Sequence, residues 1–293
     1  MPELPEVETI VRDLRSKIMG RGIGGLILRQ KAIDHLLNST AEVFYQGLMN
    51  QTIVTVLRKG KYIILPLSNN NVLVLHLGMT GKILIQSADG LDLVDQLERV
   101  DKHTHMIIEL SDLSEEEDDL ELHFNDVRLF GNIWLLEDVK DIEKLDVPGL
   151  KDLGPDALGI TLVQFEDSMR SKRAVKAILL DQTKIAGVGN IYADEACFCA
   201  GVHPAQKGIS LSEEQRGKLW LAVKTVLKQG IRYRGSSTSD YTTPDGSEGS
   251  YQQYHRVYQK TGEKCVQCNT LIERIKLAGR STHFCPTCQK EGE

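Results

Sequence analysis

The first eight residues, MPELPEVE, can supply a nucleophile at the start of the chain. Removal of Met1, which a small second residue such as proline permits, makes Pro2 an N-terminal secondary amine. Once deprotonated, such an amine attacks a carbonyl or a sugar C1′ and forms an iminium, which makes later eliminations easy. Glu3 follows directly and is a candidate acid or base. The alternative is that Pro2 and Pro5 only punctuate a frayed terminus.

A helix is predicted directly behind this terminus. Pro5 suits the first helical position, and Glu6 and Glu8 fall in the first turn, where the helix dipole favours carboxylates. Five apolar residues follow helical spacing and form a core-facing stripe: Val7, Ile10, Val11, Leu14 and Ile18. We therefore expect the helix to hold the amine at its positive end, which also lowers the pKa of an ammonium group.

Four of the six cysteines form a second chemical pattern near the other end of the chain. Cys265, Cys268, Cys285 and Cys288 read C-x2-C, sixteen residues, C-x2-C. This spacing predicts a zinc ribbon and not a disulfide framework. Since four cysteines leave no open coordination position for water, the expected zinc ion is a single structural one. Arg280, on the turn between the cysteine pairs, faces a phosphate if the ribbon binds DNA; otherwise the ribbon is purely structural.

Three interior segments carry residues that suit a nucleic-acid site. Lys61 stands in RKGKYIIL, where Gly60 predicts a hairpin turn and an edge lysine. Met79 stands in HLGMTG, by default a second hairpin with its methionine in the core. Arg128 and Phe130 of FNDVRLFG are two residues apart, on one strand face or at a loop tip, and form at least a cation–aromatic pair. Apolar wedges with arginine also replace a base that has left a duplex.

The segment DQTKIAGVGNIYADE predicts a turn between two helices. Gly187 and Gly189 end one helix, and Asn190 is expected to cap the next. Free backbone N–H groups at that helix start, together with the Asn190 side chain, would make a phosphate seat. A plain packing contact between helices explains the same residues equally well.

Composition bounds the class of protein. With 293 residues and 41% hydrophobic content, the chain can bury a sizeable core, most naturally as two domains. No apolar run approaches the ~20 residues of a membrane span. The N-terminus carries acids where a signal peptide has basic and then apolar residues. We therefore predict a cytoplasmic protein with no membrane partner.

Charge is divided unevenly along the chain. Residues 1–150 contain 15 Lys and Arg against 25 Asp and Glu, a net charge of −10, whereas residues 151–293 contain 20 against 16, a net charge of +4. Seven of the acids fall within residues 112–121, which we interpret as a solvated loop between two strands. The total of −6 is thus a poor guide, and a phosphate backbone would bind the basic half.

The chain behind the first helix predicts strands for more than a hundred residues and then helices. The strand segments, which indicate a β-sandwich or barrel, are GGLILRQ, QTIVTVLR, YIILPLS, NVLVLHL, KILIQS, HMIIEL, LELHF and NIWLLE. A linker rich in Gly, Pro and Asp follows at residues 146–159. From Thr161 the helical segments are TLVQFEDSMR, KRAVKAILLD, NIYADEACFCAG and SEEQRGKLWLAVKTVLKQGI.

Taken together, these motifs resemble the formamidopyrimidine-DNA glycosylase family, bacterial repair enzymes for oxidised purines. They occur in family order over nearly the full length: PELPEVE, RKGKY, HLGMTG, NDVRLFG, GVGNIYADE, a GSST loop before PDG, and GRSTHFCPTCQ. The resemblance implies an α+β fold with an N-terminal β-sandwich and its leading helix (1–147), a helix–two-turn–helix domain with a lesion-covering loop (148–250), and a four-cysteine zinc finger (251–293). It also implies a monomer that binds damaged double-stranded DNA in a cleft.

The resemblance assigns roles residue by residue. Pro2 is the nucleophile, Glu3 the proton donor that opens the sugar ring, and Lys61 a catalytic cation. Lys61 and Arg280 join Glu3 as proton donors, and Asn190 and Arg280 hold phosphates around the lesion. Met79, Arg128 and Phe130 fill the space that the everted base leaves.

The implied mechanism is bifunctional. Attack of Pro2 on C1′ expels the damaged base, and the iminium acidifies the neighbouring proton, so that β- and then δ-elimination cut both flanking phosphates. The product is a one-nucleotide gap.

Some residues depart from the family pattern. Val127 and Leu129 flank Arg128 where proline and a basic residue are common, Ser239 stands where the lesion-covering loop often has a basic residue, and residues 112–121 look like an acidic insertion.

Two alternatives remain open. One is the endonuclease VIII branch, which shares the fold and prefers oxidised pyrimidines; the other is a non-catalytic protein that binds damaged DNA or nucleic acid through its zinc ribbon. PELPE and the set Met79, Arg128 and Phe130 favour the purine enzyme, and Pro2, Glu3 and Lys61 together favour catalysis.

Overall fold

The computed structural model describes residues 2–88, 100–114 and 118–290. Its first part contains three helices and eight strands: α1 Leu4–Ile18, β1 Gly22–Leu28, α2 Gln30–His35, α3 Ala41–Leu48, β2 Leu57–Lys59, β3 Tyr62–Pro66, β4 Val72–His76, β5 Gly81–Ser87, β6 Thr104–Ser111, β7 Leu120–Asp126 and β8 Asn132–Leu136. Its second part contains four α-helices and a hairpin: α4 Leu162–Met169, α5 Val175–Leu179, α6 Asn190–Ala200, α7 Glu213–Arg232, β9 Glu273–Leu277 and β10 Arg280–Phe284. Short 3-10 helices lie at Ile142–Lys144, Gly208–Ser210 and Tyr251–Tyr254. The predicted α+β class is confirmed.

The eight N-terminal strands form two antiparallel sheets. One sheet has the order β1-β6-β7-β5 and the other has the order β2-β3-β4-β8. Alternating apolar residues of both sheets lie in one core, which includes Ile63, Leu75, Met106 and Phe124. This arrangement confirms the β-sandwich, because antiparallel strands bury every second residue on their inner face.

Helix α1 packs its whole predicted stripe into the same core. Val7, Ile10, Leu14 and Ile18 have no exposed surface and Val11 is 1% exposed, and each fully buried aliphatic side chain contributes about 1.5–3 kcal/mol. The helix begins at Leu4, one residue earlier than predicted. Pro5 still lies in the first turn, where its missing N–H removes no helical hydrogen bond.

Two predictions for the sandwich are wrong in detail. The segment QTIVTVLR forms a strand only at Leu57–Lys59, and two short helices, α2 and α3, precede it. The segment HLGMTG is not a hairpin, since β4 and β5 lie in different sheets and the segment crosses between them. Short helices carry too few turns for their apolar period to stand out from that of strands.

The acidic segment joins β6 to β7. Asp118 and Asp119 are exposed loop residues, as predicted, and Asp112 is half-buried. The prediction of a solvated loop is wrong for Glu121, which is buried within β7 with its carboxylate 2.6 Å from Nε2 of His123. Glu115, Glu116 and Glu117 lie outside the described residues.

The chain folds as two compact units. One comprises Met1–Pro2, Glu6–Lys151 and Ser236–Gly249, and the other comprises Glu3–Pro5, Asp152–Gly235 and Ser250–Glu293. The domain boundaries at residues 147/148 and 250/251 stay predictions. In the described part of the chain, no helix has the length and apolar character needed to cross a membrane.

The second unit is built around α6. Eight consecutive residues of this helix, Ile191 to Phe198, are buried, which is the pattern of a helix enclosed on all sides. Helices α4 and α7 both begin with a complete capping box, at Thr161 with Gln164 and at Ser212 with Gln215. The second of these confirms the predicted cap.

Candidate functional site

Glu3 lies at the start of helix α6. Its Oε1 accepts the N–H of Ile191 at 2.9 Å, and its Oε2 accepts the N–H of Tyr192 at 3.4 Å. The side chain is 3% exposed. Two amide donors and the positive end of the helix dipole both stabilise the charged carboxylate.

Two glycines make room for this contact. A Cβ on Gly189 would lie 2.2 Å from Cδ of Glu3, and a Cβ on Gly187 would lie 2.4 Å from the Leu4 side chain. Gly187 also has a φ of +102°, which other residues rarely adopt, and its carbonyl accepts the N–H of Leu4 at 3.0 Å. The glycines of GVGN therefore form a socket for the N-terminal residues.

This arrangement corrects the prediction for the helix start. The N–H groups of Ile191 and Tyr192 are not free, since Glu3 occupies them. The capping position belongs to Gly189, and Asn190 is the first helical residue. The prediction that these two N–H groups bind a phosphate is therefore wrong.

Asn190, Tyr258 and Arg280 lie close together in the second unit. The Asn190 side chain is hydrogen-bonded to the Tyr258 hydroxyl, and the Arg280 charge acts on the same hydroxyl; burial, the larger effect, raises the Tyr258 pKa. The Asn190 Oδ1 is buried without a hydrogen-bond partner among the described residues. Arg280 is exposed at the start of β10, after a turn in which Ala278 and Gly279 have positive φ.

Glu195 positions Tyr258. Its carboxylate accepts the backbone N–H groups of Arg256, Val257 and Tyr258 at 2.9–3.0 Å. Burial raises the pKa of Glu195, while the three N–H groups act in the opposite direction. Through Glu195, helix α6 thus fixes the irregular segment 256–258, which includes Tyr258.

Met79, Arg128 and Phe130 lie on two loops that are fastened to each other. Asp126 accepts the N–H groups of Arg128 and Gly131 at 3.2 and 2.7 Å, and the Thr80 hydroxyl bonds the same carboxylate. A Cβ on Gly78 would lie 2.2 Å from the Phe130 carbonyl oxygen. The structure therefore brings the three predicted residues into one region.

The tip of the second loop is exposed. Phe130 is 48% and Val127 is 52% exposed, and the Arg128 guanidinium lies 4.5 Å from the centre of the Phe130 ring. This confirms the cation–aromatic pair. Leu129, which departs from the family pattern, has a φ of +56° and packs against the sandwich core.

Lys61 follows Gly60 in the turn between β2 and β3, as predicted. It lies near His76, the last residue of β4. Burial, and then the Lys61 charge, lower the pKa of His76 to about 4. The His76 Nδ1 accepts the N–H of Gly78 at 3.3 Å, so the neutral ring carries its proton on Nε2 and is a donor there.

The loop of Ser236–Gly249 is bound to the rest of the first unit at three places. The Ser236 N–H donates to Glu6 Oε1 at 2.9 Å, the Pro244 carbonyl accepts the N–H of Ile85 at 2.8 Å, and Tyr241 lies in the sandwich core. Ser239 is exposed at the tip.

The four cysteines Cys265, Cys268, Cys285 and Cys288 form one cluster. Their Sγ atoms all lie within 4.8 Å of one another, with Cys265 and Cys288 at 3.8 Å and Cys268 and Cys285 at 3.4 Å. Tetrahedral zinc with Zn–S bonds of about 2.3 Å separates its sulfurs by about 3.8 Å. The cluster therefore fits one tetrahedral metal ion.

Sequence reasoning missed the residues that hold others in place: Thr80, Asp126, Glu195 and Tyr258. Asp126 and Glu195 stand inside the motifs NDVRLFG and GVGNIYADE, and this position was the available signal. The partners of Glu195, and Thr80 as the partner of Asp126, are distant in sequence, so no local spacing reveals these contacts.

Three family models match the chain. The formamidopyrimidine-DNA glycosylase N-terminal domain matches residues 1–133, the formamidopyrimidine-DNA glycosylase H2TH domain matches residues 153–242, and a zinc finger found in FPG and IleRS matches residues 262–290. The predicted helix–two-turn–helix and zinc-finger architecture is confirmed.

Relatives and solved structures agree with these matches. Formamidopyrimidine-DNA glycosylases of Carboxydothermus hydrogenoformans and Listeria innocua are each 40% identical over 99% of this chain and 100% of their own. The MutM (Fpg) protein of Thermus thermophilus is 36% identical with a TM-score of 0.82, and both chains are covered completely. Lactococcus lactis Fpg in complex with abasic-site DNA is 32% identical with a TM-score of 0.84, covering 99% of this chain and 100% of that one.

Replacement of one clustered cysteine should abolish stoichiometric metal binding. We expect the purified protein to contain one zinc ion per chain and Cys268→Ser to contain much less, because a hydroxyl is a far weaker ligand than a thiolate. Metal analysis by atomic absorption measures this. Cys199→Ser, which changes a cysteine outside the cluster, is the matched control and should keep its zinc. Full metal content in Cys268→Ser would rule out the four-sulfur site.

Proposed function

Since the chain belongs to the formamidopyrimidine-DNA glycosylase family of enzymes that act on damaged DNA, we propose that it removes oxidised purines and then cuts the strand. Its substrates are 8-oxoguanine and formamidopyrimidines in double-stranded DNA, and it serves base excision repair. The observation that carries this proposal is the seating of Glu3 on the start of α6, directly after Pro2.

A single proton can serve both residues. The amides of α6 favour the carboxylate form of Glu3, so this group accepts the proton of the Pro2 ammonium and leaves a neutral secondary amine. The amine attacks C1′, and the bond from C1′ to the damaged base breaks with its electron pair going to the base, which takes up the proton that the Pro2 nitrogen loses. Glu3 then returns its proton to the sugar ring oxygen, which opens the ring and leaves an iminium between Pro2 and C1′.

The iminium drives both strand cuts. It withdraws electrons from C2′, so that a C2′ proton leaves and the bond from C3′ to the 3′ phosphate oxygen breaks. A second elimination then removes the C4′ proton and breaks the bond from C5′ to the 5′ phosphate oxygen. Hydrolysis of the iminium releases the sugar fragment and restores the amine, leaving a one-nucleotide gap.

Cationic and neutral donors hold the phosphates. Lys61 is a catalytic cation and proton donor, and Arg280 contacts a phosphate and protonates a leaving group. Asn190 binds a phosphate with its side-chain amide. His76, neutral at pH 7 because of its lowered pKa, adds an N–H donor without adding charge.

The two loops that carry Met79, Arg128 and Phe130 fill the space that the everted base leaves in the duplex. Phe130 presents half of its surface and is stacked on Arg128, which suits an apolar wedge inserted beside a cation in a duplex. Met79 lies on the adjoining loop. Leu129 and Ser239 lack the basic charge common at their positions, which weakens phosphate contacts at the loop tips, and Val127 replaces a proline.

The cysteine cluster holds one structural Zn²⁺ ion, which fixes the ribbon and supplies no catalytic water. The protein acts as a monomer in the cytoplasm and associates with the nucleoid when it binds DNA. Of the two alternatives, the family matches contradict a non-catalytic binding protein. The enzyme prefers oxidised purines to the oxidised pyrimidines that the endonuclease VIII branch removes, and comparing 8-oxoguanine with thymine glycol tests this preference.

Borohydride added during reaction should trap the protein on DNA through Pro2. Only an iminium is reduced to a stable amine under these conditions, so a duplex with 8-oxoguanine opposite cytosine should give a covalent adduct that mass spectrometry maps to Pro2. A duplex with thymine glycol should give much less adduct. Protein that retains Met1 has no amine on Pro2 and is the matched control. An adduct on Lys61, or full trapping with Met1 retained, would overturn the mechanism.

Gly189→Ala should inactivate the enzyme without preventing DNA binding. Its φ of −127° suits alanine, but the new methyl displaces the Glu3 carboxylate from α6. Loss of a positioned acid–base group typically costs about 10²–10⁴-fold in rate. Single-turnover cleavage and DNA affinity should be measured together. Gly217→Ala, with no described atom within 4 Å of the new methyl, should retain full activity; a normal rate in Gly189→Ala would remove Glu3 from the chemistry.

Phe130→Ala should slow excision of 8-oxoguanine but leave cleavage of an existing abasic site nearly unchanged. Unstacking a base costs a few kcal/mol, so we expect roughly a ten- to hundredfold loss on the lesion only. Met79→Ala should act in the same direction. Val127→Ala, an equally exposed change on the same loop, is the control. Equal losses on both substrates would show that Phe130 is not a wedge.

A further inference from the structure

Lys176 of α5 is a fully buried cation. It has no exposed surface, and its Nζ lies 2.6 Å from Oδ1 of Asp194, which is also fully buried on α6. The same Nζ donates to the Ser281 carbonyl at 2.8 Å and to the Thr282 hydroxyl at 2.9 Å. The cation therefore joins two helices to strand β10.

Asp194 holds the next residue of the same strand. Its Oδ2 lies 2.9 Å from the His283 backbone N and 3.0 Å from the His283 ring Nδ1. Three consecutive residues of β10, Ser281, Thr282 and His283, are thus bound by one buried ion pair. The Thr282 hydroxyl also donates to the Arg280 carbonyl at 3.4 Å, so the chain of contacts ends on Arg280.

Stability alone is a poor explanation for this ion pair. Removing two charges from water costs several kcal/mol, and well-packed apolar residues often serve as well or better. Buried ion pairs are best attested where they fix one arrangement among several. Here the arrangement to be fixed is the position of the β9–β10 hairpin against α5 and α6. The second strand of this hairpin begins with the exposed Arg280.

We propose that the buried pair of Lys176 and Asp194 is a positioning device that fixes Arg280 relative to the start of α6. Asp194 lies three residues after Ile191, which binds Glu3. Helix α6 is therefore the common reference for the acid–base carboxylate at its first turn and for the phosphate-binding arginine of the ribbon. The inference rests on the proposed phosphate contact of Arg280.

The experiment measures how DNA affinity falls with salt for duplexes that contain an abasic-site analogue. Loss of one phosphate contact reduces the slope of log K against log salt by about one unit. Arg280→Ala should show this reduction directly. Thr282→Val, which keeps the side-chain shape but removes the hydroxyl, should show it as well, and so should Lys176→Met.

Two further comparisons separate positioning from general stabilisation. Thr282→Ser keeps the hydroxyl and loses a methyl group, so it should lower thermal stability but keep the wild-type salt slope. In the Arg280→Ala background, Thr282→Val should reduce the slope no further, because residues that act through one contact are not additive. Lys144→Met removes a lysine charge that is 83% exposed in the first unit and should leave the slope unchanged.

The outcomes distinguish this inference from the proposed function. An unchanged slope in Arg280→Ala removes Arg280 from the DNA interface and with it the premise. A reduced slope in Arg280→Ala with a wild-type slope in Thr282→Val overturns the positioning role alone. Additive losses in the double variant also overturn it. If Lys176→Met fails to fold, the pair of Thr282→Val and Thr282→Ser decides the matter.

Discussion

The contact on which the second unit depends is that of the Glu3 carboxylate with the first amides of α6. A helix start carries N–H groups with no partner inside the helix, and burying them without an acceptor is costly. Most chains supply the acceptor from the residue just before the helix; here it comes from 188 positions earlier. Gly189 stands just before the helix and has no side chain to accept these N–H groups. Glu3 is therefore required both to complete the helix and to serve the proposed chemistry.

Two carboxylates of α6, Asp194 and Glu195, also hold segments that are distant in sequence. Asp194 binds β10 through Lys176 and His283, and Glu195 binds three successive amides of the segment that leads to Tyr258. Each carboxylate is buried with more than one donor, which is the condition under which a buried charge is tolerated. A single helix thus sets the positions of the N-terminal residues, the aromatic segment and the ribbon, although its residues show almost no amphipathic pattern.

The sequence predicted patterns that are local and missed contacts that are not. The sequence correctly predicted the features whose patterns repeat or pair within a few residues. These are the apolar stripe of α1, most of the strand segments, the cap of α7 and the cysteine spacing. The crossing from β4 to β5 was not predicted, since a tight glycine turn looks the same whether the strands it joins share a sheet or lie in two. Asn190 was assigned a cap that belongs to Gly189 because the true acceptor, Glu3, lies outside any window around it. The predicted set Met79, Arg128 and Phe130 was assembled correctly, but the Asp126 and Thr80 contacts that assemble it depend on the fold.

The loop of Ser236–Gly249 is closed at its base by two backbone hydrogen bonds, from Ser250 to Tyr233 and from Tyr251 to Gly235. These bonds set the distance between the loop ends independently of what lies between them. Doubling the length of a flexible loop with fixed ends costs only about 0.6 kcal/mol. Insertions and deletions at the Ser239 tip therefore cost this fold little free energy, and the loop can diverge in length and composition while the helices and the ribbon on either side stay the same.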